Sequence, residues 1–495
     1  MNKMKKRRFA WSIVVLLVSL PTLAAPINKV EYDLTQRAFV NARIIGVTPH
    51  ASVLEGTLLV NQGKIEKIQP TDAPIPANYD IIDLENKWVI PGMIDGHIHL
   101  SQSGSAFTRP DMISAQNIRT YEEDQSWLKA NRQDLLKTYL KVGVTSVFDL
   151  GGPSSALPHY ALASASTPSP DIYAAGELIS TQSVPELDGT GQTFIAVKSA
   201  DEALAAVKAQ LGLPVHTIKF VWTNEASKSP QALYALYVQA MKLAKKMGKV
   251  VAVHVEDLAY AKMAIRAGAD ILVHGVMSAP VDDEFLQLAK QYQVTYMPTL
   301  FAFEHYKDIF SQEVRFSEIE ERLGHDEITQ SFTQLALNKS DTGQMFQVMT
   351  TYMPFVDDDA KQNTLSPQER QIIAQLSRLF STQITDNQKA NLLAVINAGI
   401  PVALGTDAGN PATLHGVALL GEIAAWINAG VPVEKVIETV TWGNAKAFGI
   451  DHQQGSLTSG KDASFVVYEQ DPRTNSITHT LPVTIVLKGQ PLSFH

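Results

Sequence analysis

The sequence predicts an α/β fold: a (β/α)8 TIM-like barrel with a small β-sandwich domain formed by both chain termini. Strand-like alternation of apolar and polar residues is confined to the two ends of the 495-residue chain. Between them, short apolar runs alternate with helix-like runs that close on glycine. Polar, ligand-capable side chains recur at the C-terminal ends of those apolar runs, which is where a parallel barrel carries its active site.

Taken in order, residues 1–24 read as a signal peptide. Lys3, Lys5, Lys6, Arg7 and Arg8 precede the apolar run Ala10–Leu20, and Thr22-Leu23-Ala24-Ala25 supplies the small-residue pattern for cleavage after Ala24. An apolar run of roughly 11 residues is too short for a bilayer core that needs about 20, so no stable membrane anchor is expected after cleavage. The expected location is periplasmic or secreted. Residues 25–90 carry short strands such as Phe39–Ile44, Gly56–Val60 and Lys64–Ile68, and residues 455–495 repeat that texture.

Residues 91–454 hold the barrel pattern. The expected strands are Gly92–Leu100, Ser146–Leu150, Ile172–Ala175, Thr217–Val221, Val250–His254, Ile271–His274, Thr295–Pro298 and Pro401–Thr406. Helix-like runs ending in glycine precede several of them: Leu135–Gly143, Ala232–Gly248, Ala259–Gly268 and Lys389–Gly399. Residues 301–388 form a long insertion rich in Gln, Glu, Asp and Ser. An insertion at this point sits at the mouth of the barrel, and both a lid and a solvated helical excursion fit its composition.

A composition of 45% hydrophobic and 18% charged residues is ample for a large core. A net charge of -9 with no basic stripe excludes nucleic acid as a partner. The chain has 0 cysteines, which excludes disulfides, thiolate ligands and a cysteine nucleophile. Any metal must therefore be held by histidines, carboxylates or a modified lysine. Self-association into a homo-oligomer is left open.

The most informative stretch is Val89-Ile90-Pro91-Gly92-Met93-Ile94-Asp95-Gly96-His97-Ile98-His99-Leu100. On a strand, residues two apart face the same side, so His97 and His99 can reach one metal ion. Downstream, Thr217-Ile218-Lys219, Val253-His254, Val273-His274 and Gly405-Thr406-Asp407 each end an apolar run with a ligand-capable residue. At the C-terminal ends of barrel strands, His97, His99, Lys219, His254, His274 and Asp407 would converge.

With these motifs the sequence resembles the amidohydrolase superfamily, in particular members with a binuclear centre bridged by a carboxylated lysine. Pro298-Thr299-Leu300, and Gly405-Thr406-Asp407-Ala408-Gly409 followed by His415-Gly416, are most similar to the imidazolonepropionase-like and prolidase-like branches. The resemblance implies two divalent ions, Zn2+ being well suited to imidazole and carboxylate donors. It implies a CO2-derived carbamate on Lys219 bridging both ions, with His97, His99 and Asp407 on the more buried ion and His254 with His274 on the other. A hydroxide shared by two such ions is a nucleophile at neutral pH, and Asp407 would serve as general acid/base in hydrolysis of an amide-like bond.

The pattern also departs from those relatives. Where prolidase-like chains carry Gly-Gly-His after the third strand, this chain reads Ile179-Ser180-Thr181-Gln182-Ser183-Val184-Pro185-Glu186-Leu187-Asp188-Gly189, and Val255-Glu256-Asp257 replaces a small-residue turn after His254. For a small-molecule substrate, His415, Tyr296 and Arg109 are contact candidates, with Tyr306 a further one for a carboxylate. His216 is out of phase with Lys219 and is expected to face away from the barrel interior. The expected activity is thus an exported binuclear metal-dependent hydrolase of C–N bonds in small substrates. A mononuclear deaminase or cyclic amide hydrolase of the same superfamily, and a non-catalytic metal-binding barrel, are the alternatives.

Overall fold

The structure is a computed structural model that describes residues 26–27, 35–48, 52–164, 168–189, 191–223, 228–474 and 476–492. The signal-peptide expectation for residues 1–24 lies outside the described residues. Among the described residues no helix is long and apolar enough to cross a membrane.

Strands from the two ends of the chain meet as expected, in one branched sheet of eight strands. Its order runs Gln490–Leu492, Thr484–Leu487, Phe465–Tyr468, Trp88–Pro91, Arg37–Ile45, Val53–Asn61, Lys64–Gln69, with Asp80–Asp83 pairing a second time on Arg37–Ile45. The cause of the branching is a register shift between Phe39 and Ala42, where Asn41 takes a φ of 53°. On one side of that irregularity Arg37–Val40 pair with Asp80–Asp83, and on the other Arg43 and Ile44 pair with Trp88 and Val89. Phe39, Leu58, Val89, Phe465 and Val486 form the buried core of this sheet.

The central strands are parallel and alternate with helices. Met93–Ile98, Val144–Asp149 and Asp171–Ala174 form a three-stranded sheet. Thr217–Val221, Val250–His254, Ile271–Val273 and Thr295–Met297 belong to a six-stranded sheet, joined there by Leu178–Ser180 and Phe194–Ala196, two strands of three residues too short to carry a readable period. Isolated parallel bridges, Ala175 with Thr217 and Tyr296 with Val402, link these elements further. The helices begin and end where their caps dictate. Leu258–Ala267, for example, starts with the Asp257 side chain accepting from the backbone of Ala259 and Tyr260, and stops at Gly268 with φ of 110°.

The expected strand Pro401–Thr406 is not a regular ladder, and the reason is chemical. The fully buried carboxamide of Asn444, which follows a π-helical turn over Thr439–Gly443, inserts beside it. Asn444 accepts from Leu404 N at 2.8 Å and donates to Leu404 O and Ile94 O, each at 2.7 Å. Backbone bonds resume on both flanks, from Ala403 N to Tyr296 O at 3.0 Å and from Asp407 N to His97 O at 2.7 Å.

Alternate residues of these strands, among them Ile94, Phe148, Tyr173, Ala252, Met297 and Ala403, pack together with Phe448, whose ring stacks on Phe148 at 3.7 Å between centroids. His216, expected to face away from the interior, instead packs its ring against Phe148 and Tyr173 of this cluster, each 5.3 Å between centroids. It lies one residue before the strand Thr217–Val221, where alternation does not yet govern side-chain direction.

Residues 301–388 are helical, in segments that include Leu300–Ser311, Asp326–Leu337 and Pro367–Phe380. They are not a solvated excursion: Tyr306, Phe310, Phe332 and Phe380 form a core with Ala106, Phe107 and Ile113 from the loop after His99. Buried Glu422 anchors the first of these helices by accepting from Leu300 N at 3.1 Å, Phe301 N at 2.8 Å and the Trp426 indole at 2.8 Å.

Asn444→Ala would leave the buried Leu404 N without its acceptor and remove a donor from Leu404 O and Ile94 O, so it is expected to lower stability by about 1–3 kcal/mol. Denaturant unfolding of the two proteins side by side measures this, and an unchanged midpoint would contradict the stitching role.

Candidate metal centre

His97 and His99 sit at the end of the strand Met93–Ile98 and just past it, and Asp407 sits beyond the irregular segment beside them. His97 Nε2 and His99 Nε2 are 3.2 Å apart, and Asp407 Oδ1 lies 3.2 Å from the first and 3.1 Å from the second. All three residues are buried. Among the described residues this is the one group of three or more such side chains whose ligand atoms lie within 4.8 Å of one another.

The backbone is shaped to hold them. The buried Asp95 carboxylate accepts from His97 N at 3.2 Å, Thr406 N at 3.1 Å and Thr406 Oγ1 at 2.7 Å, tying the two ligand-bearing segments together. Gly405 runs so close to His97 that a Cβ there would lie 2.6 Å from His97 Cβ and 2.8 Å from His97 N. Asp407 and His274 are both non-glycine residues with positive φ, 62° and 72°. Such backbone costs about 1–3 kcal/mol each and clusters at functional sites.

Hydrogen bonds set the donor atoms. His99 Nδ1 donates to Gly151 O at 2.8 Å, which directs its Nε2 toward Asp407. Asp149 fixes that carbonyl in turn by accepting from Gly151 N at 3.2 Å and Leu100 N at 3.3 Å. His274 Nδ1 lies 2.8 Å from Thr299 Oγ1, which leaves its Nε2 directed elsewhere. Burial pushes His97 well below its ordinary value and His274 down to about 3. Burial opposes ionisation of Asp407 too, yet the neighbouring His97 and His99 hold it well below the usual carboxylate range.

This donor set fits a divalent cation. Two imidazole nitrogens and a carboxylate oxygen with no hydrogen-bond partner face one another at 3.1–3.2 Å, and all three are ligand types of a divalent cation. Family-type chemistry would need no thiolate, and the chain has none.

The other expected ligands gather beside this group. The rings of His254 and His274 are 4.4 Å apart and those of His97 and His274 5.2 Å. Lys219, only 1% exposed, lines the same cavity, and its Nζ has no hydrogen-bond partner. Burial lowers this amine to about 7. The cavity measures about 350 Å3, and all six expected ligands line it. A larger cavity of about 820 Å3 opens within the helical insertion around Arg315, Phe332 and Leu337, with none of these ligands in its walls.

The three substrate-contact candidates fare differently. Arg109 lines the cavity. Tyr296 does not: it occupies the outward position between Thr295 and Met297, accepts from Val276 N at 2.9 Å and packs on Phe285. His415 is also withdrawn. It is 2% exposed, with Nε2 at 2.7 Å from Gln102 O and Nδ1 at 2.8 Å from Tyr139 OH, so it braces the loop after His99. Sequence reasoning does not single out Gln102, Phe303 or Asn410, all of which line the cavity. Gln102 and Asn410 each follow a ligand by three residues, which is the signal that finds them. Glu256, noted only as a departure, brings Oε1 to 3.5 Å from His254 Nε2.

The model of the amidohydrolase family matches residues 88–490, and the chain belongs to that family. It is 36% identical over 98 residues to the imidazolonepropionase of Brucella anthropi, covering 18% of this chain and 24% of that one. It is 35% identical over 127 residues to the exoenzymes regulatory protein AepA of Pectobacterium carotovorum subsp. carotovorum, covering 24% of this chain and 26% of that one. The chain thus spans about a quarter of the length of these curated relatives. The crystal structure of a Xaa-Pro dipeptidase with bound methionine in the active site has a TM-score of 0.65 at 20% identity, covering 93% of this chain and 100% of that one. At that identity the likeness establishes the fold, a parallel α/β core with a β-rich terminal domain.

Gly405→Ala forces a methyl group into the His97 backbone and is expected to cost about 1–3 kcal/mol by overpacking. Thermal unfolding should register the loss, and a fully stable variant would show that the close approach is not needed.

Proposed function

We propose that the protein is a binuclear metal-dependent hydrolase that cleaves the C–N bond of small amide or peptide-like substrates, with Asp407 as general acid/base. The observation that carries this reading is the convergence of His97, His99 and Asp407 at 3.1–3.2 Å beside Lys219 and the His254 and His274 pair. Family membership supports the reaction class, and the prolidase-like fold supports peptide-like substrates. The isolated bridges at Thr217, Val402 and Ala408 support reading the parallel strands as a closed eight-stranded barrel.

Bound divalent ions, Zn2+ in this proposal, would polarise the scissile carbonyl and acidify the attacking water. His97, His99 and Asp407 would hold the more buried ion, and His254 with His274 the other. The Lys219 side chain would bridge them as a carbamate. At about 7, a good fraction of the buried amine is neutral at physiological pH and can add to the carbon of CO2, forming the N–C bond and releasing one proton. That step exchanges an unpartnered buried cation for an anion among ligands that need one. The Asp407 carboxylate, held ionised by its histidine neighbours, is placed to accept the proton of the attacking water and hand it to the leaving nitrogen.

Export to the periplasm or beyond belongs to the same proposal and rests on the basic, apolar and small-residue order of residues 1–24. A mononuclear reading has one observation in its favour: among the described residues only His97, His99 and Asp407 place ligand atoms within 4.8 Å of one another. A deaminase or cyclic amide hydrolase would use that set with one downstream histidine.

Amine release from a panel of dipeptides and N-acyl amino acids, measured on the zinc-loaded protein, tests the reading. Asp407→Asn is expected to lower kcat by about 10²–10⁴-fold on whichever substrate is cleaved. Lys219→Ala is expected to abolish turnover, whereas retained turnover would move the assignment to the mononuclear reading.

A further inference from the structure

The wall of the cavity next to the metal centre is apolar, and it is built from segments far apart in the chain. Phe303 and Phe380 come from two helices of the insertion, together with Leu379. Val184 and Leu187 come from the segment after the strand Leu178–Ser180, and Phe194 from the strand Phe194–Ala196. The apolar wall starts at the ligands themselves: the Phe303 ring meets the His274 ring edge to face, 5.8 Å between centroids. Leu379 remains 50% exposed, an apolar side chain left open at a cavity wall where burial by a partner would be favourable.

The guanidinium in the same cavity is already engaged. Arg109 donates from Nε and Nη2 to the two oxygens of Asp111, at 2.8 and 2.6 Å. Its Nη1 donates to Asn410 Oδ1 at 3.0 Å and Tyr306 OH at 3.3 Å. The guanidinium therefore ties the loop after His99 to the insertion and to the loop after Asp407, with its charge neutralised in place. Lys219, the other cation of the lining, sits among the histidines. Away from the metal centre, to which the hydrolase reading assigns Lys219, a substrate carboxylate would meet Asp111 and Glu256, and among the described lining residues the remaining cation, Arg109, is already paired.

We propose that this site selects substrates whose group next to the scissile bond is bulky, apolar and uncharged, an aromatic or branched aliphatic side chain seated against Phe303 and Leu379. The inference rests on the metal-hydrolase reading for its placement of the scissile bond. Phe303 and Leu379 are specificity residues in this account, and Arg109 is a positioning residue for the cavity wall.

Calorimetric titration of the zinc-loaded full-length protein with three hydroxamates separates the inference from its parent. Phenylacetohydroxamate is expected to bind at least about tenfold more tightly than acetohydroxamate, the scale set by filling an apolar pocket, and succinate monohydroxamate no more tightly than acetohydroxamate. Phe303→Ala and Leu379→Ala should each remove most of the phenyl advantage while leaving acetohydroxamate affinity within about twofold. Equal binding of the three ligands, tightest binding of the carboxylate-bearing one, absence of binding by all three, or equal weakening of all three in both variants would each overturn the inference. A phenyl preference in a protein that cleaves no amide would uphold the apolar subsite and overturn the hydrolase reading, and with it the placement of a scissile bond beside that subsite. Amide cleavage without a phenyl preference would do the reverse.

Discussion

Asp95 and Asn444 carry the connection on which the rest of the site depends. Between the first parallel strand and the segment 401–408 the backbone ladder is irregular, held by Gly96 N to Leu404 O, Asp407 N to His97 O and His99 N to Ala408 O, and these two buried side chains reinforce it. Asp95 takes the backbone and hydroxyl of Thr406 together with the backbone of His97, and Asn444 takes both backbone groups of Leu404 and the carbonyl of Ile94. A regular ladder would fix only the strands. Side-chain bonds at these points also let the chain turn at Asp407 into a left-handed conformation and bring its carboxylate onto two imidazoles.

The electrostatic consequence is a pocket poised for cations. Burial lowers His97, His274 and the Lys219 amine, while Asp407 is held well below the usual carboxylate range among its histidine neighbours. None of these states suits a dry interior on its own. Each becomes favourable once positive charge sits among the donor atoms, so binding energy for metal is stored in the folded apo site. The helical insertion completes the arrangement by roofing it with aromatic residues. Glu422 fixes the start of that roof, and Arg109 fixes its inner edge.

Much of the site was legible because its ligands obey strand arithmetic. His97 and His99 are two apart on an apolar run, and Lys219, His254, His274 and Asp407 end runs of their own, so a period of two and a barrel topology bring them together. The same arithmetic excludes Tyr296, which falls between inward positions and was proposed only for its place near a strand end. His415 looked available because it lies in a loop beyond Asp407, but two hydrogen bonds across 313 and 276 residues withdraw it. Asn444 and Glu422 act over comparable separations from helices whose local sequence gives no hint of partners. The branching of the terminal sheet escapes the same arithmetic: a single bulge at Asn41 lets one strand serve two neighbours, and no periodicity announces it.

Metal analysis of the mature protein, purified without chelator from cells grown with zinc and bicarbonate, tests the central claim most directly. The account predicts about two ions per chain, both lost when His97 and His99 are replaced together. A chain that carries no metal and takes up none on titration would contradict it, because the convergence of His97, His99 and Asp407 would then have no cation to explain it.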